Sequence, residues 1–279
     1  MIPLQPEAAA RLAAATTSLA FCWKLLRADG VALGFTSHDR DLVIDGLVYR
    51  ASPGIAPSAI SLNDGFDAAA MEVTGALTSD AIAAQDLEAG RYDQARVAVF
   101  LVDWEAPETL CIGIARGTLG NIRRNDNGFA AEMRRETSRF DRAVTEQMSP
   151  ECRAQLGDRR CRIDLAARTR MVRIVAVADP VTLTLAESEP SPNAYACGRL
   201  RWIEGANAGF ESEIVASSGA SVTLREPPPF GSAPDLTVEL REGCNKAFAT
   251  CRDRFANAVN FRGEPHVPGN DLLTRYPGL

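Results

Sequence analysis

Glu151-Cys152-Arg153-Ala154-Gln155-Leu156-Gly157-Asp158-Arg159-Arg160-Cys161 and Gly243-Cys244-Asn245-Lys246-Ala247-Phe248-Ala249-Thr250-Cys251 are the two stretches that organise this chain. Eight residues lie inside the first cysteine pair, six inside the second, and 82 between the pairs. Thiolates spaced this way can meet at one metal centre only if the intervening segment folds back on itself, and the pairs then close a domain. Gly157 and Gly243 are residues at which the backbone can turn. Three chemistries fit the pattern. A structural zinc site draws its cysteines from knuckles typically about two to four residues apart, and these loops are wider. An iron-sulfur cube has its iron corners further apart and accepts cysteines from separate loops, although the tight run of bacterial ferredoxins is absent. Disulfides are the third reading, weakened by an odd total of seven cysteines and the lack of a secretory signal.

Charge is unevenly distributed around these stretches. Residues 150–170 hold six arginines against three acidic residues, a balance of +3, and residues 241–262 hold five basic against two acidic residues, again +3. The whole chain carries −6, so the remainder sums to −12. Positive charge therefore gathers beside the four thiols, where guanidinium groups would offset an anionic thiolate-ligated cluster. A solvated basic face would look the same.

At 279 residues, 46% hydrophobic and 24% charged, the chain is long enough for two ordinary domains with a sizeable core. A pI near 5.2 argues against a general nucleic-acid binder. Lys24 and Lys246 are the only lysines, so nearly all positive charge is arginine, which suits bidentate pairing. The N-terminus has no basic segment followed by an apolar run, and no stretch reaches the roughly 18 apolar residues of a spanning helix. Synthesis in the cytoplasm and no membrane-spanning segment are the expectation.

Residues 5–16 are alanine-rich and predict a short leading helix. Strands follow at 19–26, 31–35, 42–44 and 47–49, the last two joined by Asp45-Gly46, a tight hairpin turn. A second hairpin is expected at 60–62 and 70–73, and a helix at 79–89. Residues 95–104 form a continuous apolar run, read as a strand buried on both faces. Strands at 110–115, 118–122 and 129–133, the last after the Asn125-Asp126-Asn127-Gly128 turn, complete a mainly antiparallel sheet or barrel with one inserted helix. A helix over 137–148 ends at Ser149-Pro150, which sets the domain boundary: 1–148 and 149–279. Six short strands at 170–177, 181–185, 198–203, 210–215, 221–224 and 236–240 lie between the cysteine pairs and predict a small barrel whose ends a metal centre would fasten. A helix over 246–258 would present Ala247, Cys251 and Phe255 on one face, before a Pro/Gly-rich tail. The fold class is thus mainly β, a β-rich α+β protein of two barrel- or sandwich-like domains with short helices.

Other candidates are few. His38, in Ser37-His38-Asp39-Arg40-Asp41, has the carboxylate neighbours of an acid/base residue, but a polar loop has them too. His266 sits in a stiff proline-flanked segment better suited to docking. Cys22 and Cys111 occupy apolar strand positions, where cysteine is most often a small buried hydrophobe, and Cys197 is the substitute ligand should one of the four fail. No phosphate-binding glycine loop, Gly-x-Ser-x-Gly elbow or His-Glu-x-x-His motif occurs.

Taken together, Cys152-Arg-Ala-Gln-Leu-Gly-Asp-x-x-Cys161, Gly243-Cys244-Asn-Lys-x-x-x-Thr-Cys251-x-x-Arg254-Phe255 and Asn257-Ala-x-Asn260-Phe261-Arg262-Gly263-x-Pro265-x-x-Pro268-Gly269 resemble the C-terminal signature of a tail-tip (baseplate) hub family found in long-tailed phages, prophages and gene transfer agents. Gly198-Arg199-Leu200-Arg201-Trp202 and Gly205-Ala206-Asn207-Ala208-Gly209 resemble it as well. The resemblance implies a non-enzymatic virion structural protein, similar in role to the lambda-type tail tip protein L, whose C-terminal domain holds an iron-sulfur cluster. It implies a homo-oligomeric ring, a trimer, between the distal tail protein ring and the central receptor-facing tip protein. The residues leave open whether DNA passes through the ring; an acidic lumen would let it slide without specific binding. It makes Cys152, Cys161, Cys244 and Cys251 the ligands of a 4Fe-4S cluster, with zinc as the lesser alternative. The contrasting reading is an iron-sulfur or zinc-dependent redox enzyme or sensor using the same quartet.

Overall fold

The computed structural model describes residues 6–51, 56–57, 71–76, 83–125, 128–135 and 145–267. Contacts divide the chain into two compact units, Met1–Ala143 and Val144–Leu279.

In the first unit a short helix α1 (Pro6–Leu12) precedes β1 (Leu19–Leu26), which lies between β2 (Ala32–Thr36) and, further along the chain, β7 (Arg96–Asp103). β3 (Leu42–Ile44) and β4 (Leu47–Ala51) form the expected hairpin; Asp45 and Gly46 both take positive φ, which matches the twist of the two strands. β5 (Ala56–Pro57), β6 (Met71–Ala76), β8 (Cys111–Asn125) and β9 (Gly128–Arg135) complete a nine-stranded sheet of order β3-β4-β2-β1-β7-β8-β9-β6-β5. Only β2 and β4 run parallel. This unit is a sheet, and the closed barrel belongs to the second unit.

Alternation along the two central strands divides the core in two. Trp23, Leu25, Val97 and Val99 point into a cluster with Phe35, Tyr92, Leu119 and Met133, while Ala20, Cys22 and Val102 point into another with Leu42, Ile44 and Tyr49. The apolar run at 95–104 is therefore buried on both faces, as its composition suggests. Cys22 is fully buried, but Cys111 is exposed at the start of β8.

Several expected elements differ. The strands at 110–115 and 118–122 are one continuous strand, because Gly117 does not turn: its Cα sits where a Cβ would meet Arg134 O at 2.3 Å. The helix at 79–89 is α2 (Ala84–Glu88) among the described residues. Residues 145–148 are irregular rather than the end of a helix over 137–148, whose earlier part lies outside the described residues. The hairpin at 60–62 and 70–73 lies mostly outside them, as do part of the 125–128 turn and the tail from Pro268. Among the described residues no helix is long and apolar enough to cross a membrane.

The second unit is built on a closed barrel of β10 (Thr169–Val177), β11 (Thr182–Leu185), β12 (Arg199–Trp202), β13 (Glu211–Ser218), β14 (Ser221–Leu224) and β15 (Thr237–Arg241), in the order β10-β11-β14-β13-β12-β15. Every second residue points inward, so Val172, Ile174, Leu183, Leu185, Leu200, Trp202, Ile214, Val222, Leu224, Val238 and Leu240 fill the interior. Each such side chain stabilises the fold by roughly 1.5–3 kcal/mol. Closure leaves no free strand edge.

The loop between β11 and β12 is pinned by Glu189. Its carboxylate accepts hydrogen bonds from Ala194 N at 3.0 Å, Gly219 N at 3.1 Å and the Ser217 hydroxyl. Burial pushes this carboxyl up, but the hydrogen bonds outweigh it and hold the group below its ordinary range. A depressed folded-state value means that the stabilisation is fully present above the unfolded glutamate value of about 4.3 and is lost as pH falls below it. Glu189→Gln is therefore expected to lower stability at neutral pH by on the order of 1 kcal/mol and to flatten the acid side of the stability profile, measured by urea unfolding from about pH 7 to about pH 3. An unchanged profile would contradict the assignment.

Candidate metal centre

The geometry of the site begins with one strand pairing. β10 and β15 are antiparallel neighbours in the barrel wall, with Thr169 opposite Arg241. The chain entering β10 and the chain leaving β15 therefore meet at the same end of the barrel, which brings the two cysteine pairs together across 82 residues of sequence. Glu242 N extends the pairing by donating to Arg168 O at 3.1 Å. The buried Glu242 carboxylate then receives Arg168 at 3.0 Å and Arg254 at 2.6 Å, and both guanidinium groups lie over the Phe255 ring. Arg254 also donates to Gly243 O and Ala194 O. This clamp fastens α3 (Phe248–Asp253) to the end of the barrel.

Each cysteine is set by its own local device. Cys152 N donates to Lys246 O at 2.9 Å, and Arg262 N donates to Cys152 Sγ at 3.4 Å. Cys161 ends a turn organised by Asp158, whose carboxylate accepts from Gln155 N, Arg160 N and Cys161 N at 2.6–2.9 Å. Burial pushes Asp158 up, but these three amides and the nearby Arg160 hold it below the usual carboxylate range. Gly157 takes a φ of +78° in this turn, with the Leu165 side chain against its Cα. Cys244 follows Gly243, and Cys251 is buried in α3. Asn257 joins two of the loops: its side chain donates to Cys161 O at 2.7 Å and Cys161 Sγ at 3.8 Å, and its N–H donates to Cys251 O at 2.9 Å.

All four sulfurs line a single small cavity, with Ala154, Leu156, Ile163 and Phe255 as its apolar walls and Lys246, Asn257 and Asn260 as its polar ones. None of the four is in a disulfide. They do not close on one point: among the described residues no three His, Cys, Asp or Glu side chains gather tightly enough to hold a single metal ion. Amide donors to the sulfurs of Cys152 and Cys161 are the outer contacts expected of ligating thiolates.

Two of the four thiols are shifted by their surroundings. Burial pushes the Cys244 thiol up, the Lys246 amide and ammonium pull it down, and the Cys152 and Cys161 sulfurs push it up again. Cys251 is raised by burial and then by the other three sulfurs.

The remaining sequence candidates fall elsewhere. Cys197 is exposed, with φ +58°, and lines a neighbouring cleft rather than the four-cysteine cavity. His38 is occupied by its own turn, where Nδ1 accepts from Arg40 N at 3.1 Å and the ring lies against Trp104. His266 is exposed in a turn after Glu264. The helix expected over 246–258 stops at Asp253, because Ala256 adopts φ +47° to return Asn257 toward Cys161. Gly243 does not take a positive φ; a Cβ there would lie 1.8 Å from Ala196 O and 2.3 Å from Gly198 N, so its role is close approach. The arginines expected to offset thiolate charge are largely taken by carboxylates: Arg153 by Glu146 and Glu264, Arg160 by Glu146, Arg168 and Arg254 by Glu242, and Arg252 by Asp253. Lys246 and Asn257, not singled out by spacing, are the polar side chains that tie the ligand loops together.

Two protein families match this chain: baseplate hub protein, N-terminal attachment domain, over residues 5–164, and phage conserved hypothetical protein BR0599 over residues 193–271. A solved structure described as the virion of a native gene transfer agent (GTA) particle contains a chain 36% identical to this one, with a TM-score of 0.85. That match covers 98% of this chain and 96% of the other. No curated protein matches.

Gly243→Ala is expected to destabilise the second unit by roughly 3 kcal/mol or more, since backbone atoms cannot yield to the added methyl. Gly157→Ala should cost about 1–3 kcal/mol through its left-handed backbone and the adjacent leucine. Chemical denaturation of the full chain measures both, and a neutral Gly243→Ala would contradict the close packing.

Proposed function

The chain belongs to the phage baseplate hub protein family, and on that premise we propose that it is a non-catalytic hub subunit of a virion tail tip, held in shape by a 4Fe-4S cluster on Cys152, Cys161, Cys244 and Cys251. The observation that carries the cluster reading is the meeting of those four thiols on one cavity at the closed end of the barrel. Full-length likeness to a chain of a gene transfer agent virion supports the assignment to the tail of such a particle. The first unit, within the attachment-domain match, joins the hub to the adjoining tail ring. The hub forms a homotrimeric ring between the distal tail protein and the central tip protein, and its acidic balance lets DNA pass without sticking.

The bound cluster supplies iron–thiolate bonds that cross-link the segments flanking the barrel. The protein's own residues do the positioning. Asp158 shapes the Cys161 turn, the Arg262 amide faces Cys152, and Asn257 holds the Cys161 loop to α3. Leu156, Ile163 and Phe255 supply apolar walls beside the four cysteines. Because the four thiols are neighbours only in the folded chain, binding free energy would be folding free energy for this part of the chain.

Anaerobic purification should yield about four iron and four sulfide per chain, with broad visible absorption and negligible zinc. Cys152→Ser or Cys251→Ser should lose the cluster, unfold the segments around the barrel end and abolish tail assembly. A serine variant that folds and assembles normally would contradict the structural role.

A further inference from the structure

The cation at the cavity is a lysine in a chain that otherwise uses arginine almost throughout. Lys246 is half-buried and is the only basic residue lining the four-cysteine cavity. It takes a φ of +65°, a conformation that costs a residue with a Cβ about 1–2 kcal/mol. That backbone lets one residue touch both halves of the site. Two residues after Cys244 in the chain, it accepts Cys152 N on its carbonyl at 2.9 Å and donates from Nζ to Ala154 O at 2.5 Å. Among the described residues the ion pairs that surround the site take up Arg153, Arg160, Arg168, Arg252 and Arg254, and none includes Lys246.

An ammonium with three donors, one of them spent on a carbonyl and none on a carboxylate, is poorly compensated in a half-buried site. Lys246 also lines the adjoining cleft with Glu211, Glu213 and Glu242, yet among the described residues no ion pair joins it to them, which leaves its charge open to an anion on the cavity side. A cluster carrying four thiolate ligands is such an anion. We propose that Lys246 is the counter-cation and positioning residue of this centre, setting the cluster's charge balance while its backbone holds the Cys152 and Cys244 loops in register. The inference rests on the cluster reading above and adds to it which residue tunes the centre. Lysine brings a compact charge to the cavity wall on a flexible stem.

The test compares full-length wild type, Lys246→Gln and Lys246→Arg, each purified anaerobically. Gln keeps a hydrogen-bond donor and loses the charge; Arg keeps the charge. Midpoint potential is followed by redox titration with electron paramagnetic resonance, and iron release by the chelator bathophenanthroline. In Lys246→Gln the midpoint should move to more negative potential, because the added electron loses a neighbouring positive charge, and iron release should quicken roughly ten-fold. Lys246→Arg should restore the potential. Loading by Lys246→Arg but not by Lys246→Gln would equally support the charge. A Gln variant with wild-type potential and release rate overturns the proposal, as does failure of both variants to load, which would assign the lysine to loop geometry alone. Wild-type protein lacking iron and sulfide overturns the cluster reading itself, and that result is read before any variant is made.

Discussion

The antiparallel contact between the first and last strands of the barrel is the constraint on which the second unit depends. A six-stranded barrel closes only if its terminal strands pair, and pairing Thr169 with Arg241 forces the flanking segments to leave at one end. From that single closure follow the meeting of the cysteine pairs, the burial of Glu242 between Arg168 and Arg254, and the seating of α3. Apolar packing inside the barrel supplies the free energy, and the closure decides where the chain's chemistry is gathered.

Charge in this region is arranged in two tiers. The outer tier consists of arginine–carboxylate pairs such as Arg153–Glu264, which hold loops to one another at the surface. The inner tier is Glu242, buried and bonded twice, together with Lys246 at the cavity wall. Removing one partner of the buried Glu242 group would strand a charge, whereas the exposed pairs are screened and individually weak. The arrangement suits a particle component whose task is to keep its shape, since it spends its polar groups on holding loops in place.

Much of this was legible in the residues, and the misreadings have identifiable causes. Alternation marked all six barrel strands, because a closed barrel buries one face of every strand and exposes the other. Asp45-Gly46 was legible because its turn requires positive φ at both residues. Glycine misled at Gly243, which reads as a turn; it is a place where another backbone comes within a methyl group's distance, as Gly117 is inside the strand expected as two. A sequence shows that a side chain is missing, not whether angle or space demanded it. Counting arginines beside the thiols correctly located a charged region, but not that carboxylates from residues 146, 242 and 264 had claimed them. Helical periodicity through Ala258 missed the reversal at Ala256, which serves a tertiary contact of Asn257 with Cys161.

The central claim is that four sulfurs, brought to one end of a barrel by strand closure, grip a shared inorganic core. Anomalous X-ray scattering from crystals of the anaerobically purified protein, recorded at the iron and zinc absorption edges, tests it most directly. The account predicts one strong anomalous peak per chain, enclosed by Cys152, Cys161, Cys244 and Cys251, that appears on crossing the iron edge and does not rise on crossing the zinc edge. A lone zinc signal, or four sulfurs surrounding no metal in a folded barrel, would contradict it.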